Sequence, residues 1–556
     1  MSEKLTRREA LLGASSTLLL PVACSTAKVE PGRYSAALFR HGVASGDPDS
    51  SSVVLWTRVS QQNGATDVDW QVAADPDFAD VVQSGRAVTG PERDYTVKVV
   101  ADGLEPGQGY YFRFNVAEDR SPTGQTRTLP VGKLDELVLA VVSCSNYPFG
   151  YFNAYEAIAE DDSVEFVVHL GDYIYEYDIE GYGAEPGKRL GRMHEPQHEI
   201  LTLEDYRTRH AQYKADPGSR AMHGRHPLIA TWDDHESTNN PWMGGAQNHQ
   251  EDEGDWLTRR EISLQAYFEW MPIREPADGM SRADYWRSFQ FGDLATLVTL
   301  ETRHTGRSEQ IDFDDHSDRL QSPADAASFY DEVVGAEERT LLSSDMEAFV
   351  ADELSASVRN ETLWRIIGNQ TLIARIVAPA LNDPELDAYI DSMSDDGRDL
   401  LERLAGFGAL GIPGNMDAWD GYPAARRRFY EIAKDAGARD LLVLTGDTHT
   451  FWANALFDDG GEPMGVELGT TAVTSPRGFG ALGDDAAGRF DALVAAQNQS
   501  VLWSDGSRRG YIHLAVGRES AVADFKVVTD IESRNYQLQT VRRATIVHRD
   551  GSLAYA

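Results

Sequence analysis

A chain of 556 residues, 41% of them hydrophobic, is long enough for two or more domains and too apolar for a disordered segment. Its net charge of −38 argues against a nucleic-acid-binding surface, because a phosphate backbone would be repelled. Any anionic substrate then has to be handled locally, by bound cations and a few arginines.

Residues 1–30 read as a targeting segment and fall outside fold reasoning. Thr6-Arg7-Arg8-Glu9-Ala10-Leu11-Leu12 resembles a twin-arginine export motif, and the apolar stretch after it is too short to span a bilayer. Leu20-Pro21-Val22-Ala23-Cys24 approaches a bacterial lipobox, with Pro21 where Leu is usual. A lipid anchor at Cys24 and simple cleavage both stay open. The expected location is outside the cytoplasm: periplasmic, membrane-anchored as a lipoprotein, or extracellular. No other segment reads as a transmembrane helix.

Residues 35–130 read as a small all-β domain, a fibronectin/Ig-like β-sandwich. Val53–Val59, Val68–Val72 and Tyr95–Val100 are short strands between Gly, Asp and Pro turns. Leu104-Glu105-Pro106-Gly107-Gln108-Gly109-Tyr110 matches a tyrosine corner, in which a buried hydroxyl pins the loop before its strand. With no cluster of reactive side chains, this domain is expected to be a spacer or lid.

From residue 135 to 530, apolar strands alternate with amphipathic helical patterns, the grammar of an α/β layer fold. Four apolar runs end in metal-ligating residues. Val138–Val142 leads to Cys144 and Asn146, and Phe166–Leu170 to Asp172 and Tyr175. Pro227–Ala230 leads to Asp233, Asp234, His235 and Glu236, and Leu441–Leu444 to Asp447 and His449. One such pair would be an ordinary cap or turn. Four, at strand ends where α/β folds place ligands, point to a two-metal hydrolase. Cys144 adds to this: once Cys24 is removed or lipidated it has no disulfide partner, so its place among ligands favours thiolate–metal coordination over a merely buried cysteine. Residues 310–360 and 380–410 are helix-rich and acidic and read as insertions. Residues 531–556 form a strand-rich tail. No P-loop or Gly-x-Ser-x-Gly elbow is present.

At these residues the chain resembles the alkaline phosphatase D (PhoD-like) family of metallophosphoesterases, within the calcineurin-like superfamily. The likeness also takes in Phe39–Pro48, Gly244–His249, Tyr267–Arg274, Trp419–Ala424 and Val473–Pro476. It implies a β-sandwich followed by a four-layer α/β/β/α calcineurin-like domain, and a site holding Fe(3+) and Ca(2+). The implied metal ligands are Cys144, Asp172, Tyr175, Asp234, Asp447 and His449. A thiolate, a phenolate and a carboxylate suit trivalent iron, and the carboxylates Asp234 and Asp447 suit calcium. Asn146, Asp233 and Asn369 are candidates for further metal or phosphate contacts. His235 is expected as the catalytic proton donor or transition-state stabiliser, and Arg303 as a bidentate phosphate ligand.

The implied function is an exported, metal-dependent alkaline phosphatase that hydrolyses small phosphate esters through a metal-activated water, for phosphate scavenging. Phosphodiesterase or phospholipase D activity on the same scaffold is the alternative. A non-catalytic metal-binding lipoprotein is opposed by the intact His235.

Overall fold

Burial alternates along the central strands of the computed structural model, which describes residues 33–556 apart from 61, 278, 382–385, 387, 388, 391 and 392. In strand Glu136–Val142, residues Leu137, Leu139 and Val141 face Leu297, Ile366, Leu442 and Leu444 across a shared core. Their neighbours Val138, Ala140 and Val142 face the other way, onto Phe152, Tyr155 and Ile158 of the helical layer. On the second sheet, Val298, Ile367 and Val443 turn outward onto Met346, Val350, Leu354 and Phe429. A period of two therefore produces helix, sheet, sheet, helix: a four-layer α/β fold. The twin-arginine-like motif and Cys24 lie outside the described residues. Among those residues, no helix is long and apolar enough to cross a membrane.

The first sheet has ten strands. Its centre is Gly510–Gly517, Glu136–Val142, Phe166–His169 and Leu228–Ala230, the last three parallel. The second has seven, with Ala295–Thr299, Trp364–Gly368 and Leu441–Thr445 parallel at its centre. The carboxyl ends of these parallel strands carry the ligand-bearing loops.

Strand pairing crosses the expected domain limits. Val43–Gly46, Val53–Arg58 and Thr96–Ala101 continue the ten-stranded sheet, joined by the pairing of Gly46 with Leu228. A side chain at Gly46 would meet the Leu228 carbonyl at 2.5 Å, so this junction needs glycine. Thr66–Ala73, Val81–Thr89, Gly109–Val116 and Gly124–Arg127 lie in a separate six-stranded sheet that packs with these strands around Leu55, Val68, Val72 and Phe112. One sheet of the sandwich is thus also a sheet of the larger domain. The tyrosine corner is formed: the Glu105 N–H donates to the Tyr110 hydroxyl at 2.9 Å. At the opposite end of the ten-stranded sheet, Leu538–Arg549 and Ser552–Tyr555 add two strands from the tail.

The helical stretch 310–360 is not wholly an insertion. Helix Ser344–Arg359, capped by Ser343, buries Met346, Val350, Leu354 and Ser357 along one stripe and forms part of the outer layer on the second sheet. Helix Asp395–Leu410 packs elsewhere, with Leu401 and Leu404 against Leu482 and Phe490.

Candidate metal centre

The strand ends converge. Cys144, Asp172 and His449 each place a ligand atom within 4.8 Å of the others. So do Asp172, Asp234 and His235, and so do Asp233, Asp234 and Asp447. Asp172 and Asp234 each belong to two of these groups, so the set is continuous. The Tyr175 hydroxyl donates to Asp172 Oδ2 at 2.7 Å, accepts from Ser475 Oγ at 2.7 Å and lies 3.4 Å from His449 Nε2.

The backbone is turned hard to achieve this. Cys144, Asp172, Asp447 and His449 have φ of 61°, 57°, 62° and 54°, in the left-handed region that non-glycine residues avoid. Each costs on the order of 1–3 kcal/mol, a strain that surrounding structure must hold at functional sites. Glu236 supplies part of that hold. Its carboxylate accepts the N–H groups of Asp172 at 3.0 Å, Tyr173 at 2.7 Å and Asp233 at 2.9 Å, tying two ligand loops together.

Electrostatically the cluster is overcrowded with anions. Burial, opposed by His235 and reinforced by Asp234, pushes Asp172 well above the usual carboxylate range. Asp447 is raised by burial and then by Asp417 and Asp233. Burial, partly offset by Arg303, pushes Asp233 up to about 7. Asp234 is the exception: despite burial, His235 and Arg303 hold it below its ordinary value. Burial and then Asp172 push up both the Cys144 thiol and the Tyr175 phenol. Burial and then His235 push His449 down to about 3, leaving a neutral imidazole. A multivalent cation would reverse the shifts of the acids at one stroke.

Unpaired atoms match that need. Asp172 Oδ1, Asp233 Oδ2, Asp234 Oδ1 and both side-chain polar atoms of Asn146 are buried without a hydrogen-bond partner. Buried carboxylate oxygens are rarely left so unless a cation answers them. The donor set present, thiol, phenol, imidazole and carboxylates, fits a metal centre.

His235 sits where the groups meet. Its Nδ1 is 2.7 Å from Glu176 Oε2, its ring stacks on Tyr175 at 4.2 Å, and its Nε2 lies 3.9 Å from Asp234 Oδ2. Burial opposes its charge, but Asp234, Glu176 and Asp172 outweigh it and raise the imidazolium's pKa well above the usual histidine range. Glu176 directly follows Tyr175, and nothing in its sequence position marks it as the partner of His235. It is fixed by the Asn239 N–H at 2.8 Å and Asn248 Nδ2 at 3.0 Å.

Two expected site residues, Arg303 and Asn369, are engaged by protein partners in this structure. Arg303 offers no open fork for phosphate: Nε donates to Asp233, Nη1 donates to Asp417 at 2.8 Å, and Nη2 lies 3.5 Å from Asp447. With so many buried carboxylates nearby, the guanidinium is drawn into balancing them. Asn369 lies at a strand end, yet its Nδ2 donates to the Thr371 carbonyl and its Oδ1 accepts from Trp419 Nε1 at 3.4 Å. Its side chain braces its own loop, as does neighbouring Gln370, which joins Thr302, Thr231, Trp232 and Leu300. Asp417, which takes the Arg303 Nη1 group, lies in a loop with no strand-end signature and was not legible in advance.

Comparison with known proteins follows the same lines. A family model for PhoD-like phosphatases matches residues 139–525, and one for the PhoD-like phosphatase N-terminal domain matches residues 23–130. Alkaline phosphatase D of Bacillus subtilis (strain 168) is 33% identical over 535 residues, 93% of this chain and 82% of that protein. A solved structure of PhoD superposes with a TM-score of 0.74 at 30% identity, over 94% of this chain and 92% of that one. Purple acid phosphatase from yellow lupin (Lupinus luteus) seeds shares the fold, with a TM-score of 0.53 at 10% identity over 91% of this chain and 74% of the other.

Proposed function

The chain belongs to the PhoD-like phosphatase family and is a phosphoric ester hydrolase; from that premise we propose that it is an exported, two-cation phosphatase that releases phosphate for scavenging. The observation that carries the reading is the set of interlocked ligand groups whose buried carboxylate oxygens lack partners. Export rests on the twin-arginine-like Thr6–Leu12 segment.

Cys144, Asp172, Tyr175 and His449 would hold Fe(3+), since thiolate and phenolate donate strongly to a trivalent ion. Asp172, Asp234 and Asp447 would hold Ca(2+), with Asn146 and Asp233 beside them, because calcium takes oxygen ligands. Bound there, the cations would supply Lewis-acid polarisation of the phosphoryl oxygens and a lowered pKa for water.

The protein's own groups do the rest. Asp172 joins the two sets through its carboxylate. Glu176 fixes the His235 ring through Nδ1, leaving Nε2 to carry a proton into the centre. That proton can pass to the oxygen of the departing alcohol, the step that poor leaving groups need most. Arg303 balances Asp233, Asp417 and Asp447 so that they can stand close together.

Metal analysis of the native protein, paired with assays on a phosphomonoester and a phosphodiester, tests the reading. Iron and calcium should both be present, and the monoester should be the faster substrate. Full activity with zinc alone and no iron rejects the iron assignment. A preference for the diester selects the phosphodiesterase alternative.

A further inference from the structure

Beside Thr448 lies a cavity of about 320 Å³ that the proposed chemistry does not use. Its walls are largely apolar, built from Leu372, Ile376, Leu404, Trp452, Phe479 and Phe490. Two loops belong to both the cavity and the metal centre. Thr448 lines the cavity and stands between Asp447 and His449, and its Oγ1 accepts a hydrogen bond from Trp452 Nε1 at 2.9 Å, which fixes the wall. Asn415 and Ala418 line it on either side of Asp417, the carboxylate that holds Arg303. Gly478, another lining residue, donates its N–H to the His449 carbonyl at 3.3 Å.

The charges in the lining say what would fit. The Asp420 carboxylate is engaged by Arg426 at 2.7 Å and by the Ile376 N–H at 2.8 Å. Arg403, the other charged lining residue, is exposed to solvent. The interior therefore offers apolar surface and little for a second phosphate or a sugar to bind. Pockets of this size and character hold small molecules by burial, with a few polar groups for orientation. At about 30 Å³ per water-sized group, the space takes roughly ten non-hydrogen atoms.

We propose that this cavity is a subsite for the organic group of the phosphate ester. The substrate class is then esters of uncharged, apolar alcohols, with a chain of roughly six to eight carbons or one aromatic ring. This inference rests on the phosphatase reading above.

The test is kcat/KM of the native, metal-loaded full chain for methyl, butyl, hexyl and octyl phosphate, and for the matching methyl alkyl diesters. Burial of the chain predicts a rise of about four-fold per methylene up to hexyl, levelling off near octyl. Phenyl phosphate should match butyl or better. Leu404→Trp, which fills the cavity, should flatten the series. Should that variant fail to fold, inhibition of the native protein by hexylphosphonate should exceed inhibition by methylphosphonate at least ten-fold. Equal kcat/KM along the series, with equal inhibition by the two phosphonates, overturns the subsite and leaves the phosphatase reading standing. No hydrolysis of any ester overturns both.

Discussion

On one side of the centre, Asp233 and Asp447 stand against Arg303, whose guanidinium also grips Asp417. On the other, Cys144, Asp172 and Tyr175 are held by Ser143, Ser475 and one another. The first group carries a built-in counter-charge in Arg303, which partly offsets the burial of Asp233 and Asp447 although both stay above the ordinary carboxylate range. The second consists of acids that burial keeps protonated, and its anionic form depends on an incoming cation. Neighbouring clusters can thus differ in how far folding alone offsets the cost of gathering acids.

His235, which touches both sides, gives the sharpest test. His235→Ala should keep both metal equivalents and lose roughly 10²- to 10⁴-fold in rate. The loss should be larger for alkyl phosphates than for nitrophenyl phosphate, whose leaving group needs no proton. A missing metal equivalent in the variant would make His235 a ligand instead.

The asymmetry itself is probed by a pair of variants. Arg303→Met leaves Asp233 and Asp417 buried without their cation, a change that typically costs about 3–5 kcal/mol of stability. Tyr175→Phe should cost far less and instead weaken the visible absorption of an iron–phenolate pair. If the two melt alike, the built-in counter-charge is not what holds the first side together.

Glu176→Gln should lower kcat by roughly 10- to 100-fold with KM little changed, because the ring of His235 loses its orienting carboxylate. A shifted pH profile would separate this from simple loss of packing.

A further effect is in pH. Asp233 keeps its proton up to about 7 in the folded, metal-free chain, against 3.8 as its ordinary value. The folded form therefore binds the proton more tightly, and the stability this gives is present at low pH and lost as pH rises through about 7. Metal-stripped protein should show a melting temperature that falls between pH 4 and 7, and metal-loaded protein a flatter one. Parallel curves would refute the linkage.

The candidate ligands were legible because each follows an apolar run closely: Cys144, Asp172, Asp234, Asp447 and His449 inherit their position from a strand whose end is readable. Arg303 and Asn369 obey the same grammar, but a strand end does not fix where a side chain points. Local charge and hydrogen-bond demand turned them to Asp233 and Asp417, and to Thr371 and Trp419. Glu176 and Asp417 act through space on His235 and Arg303, and sequence spacing carries no trace of that. The helix Ser344–Arg359 was hidden for a related reason, since its acidic face dominates the composition while four inward residues decide its place.

The junction between Gly46 and Leu228 has a consequence for anyone cutting the protein into pieces. The boundary at residue 130 looks like a seam, but the shared sheet runs through it as one beam. A fragment beginning at residue 135 would bare the flank of Leu228–Ala230, three apolar residues with unmet hydrogen bonds, a few positions before Asp233 and Asp234. Raw edges of that kind recruit other chains. Such a fragment should collect in aggregates on size-exclusion chromatography, and the sandwich is better regarded as a guard rail for the centre than as a passenger.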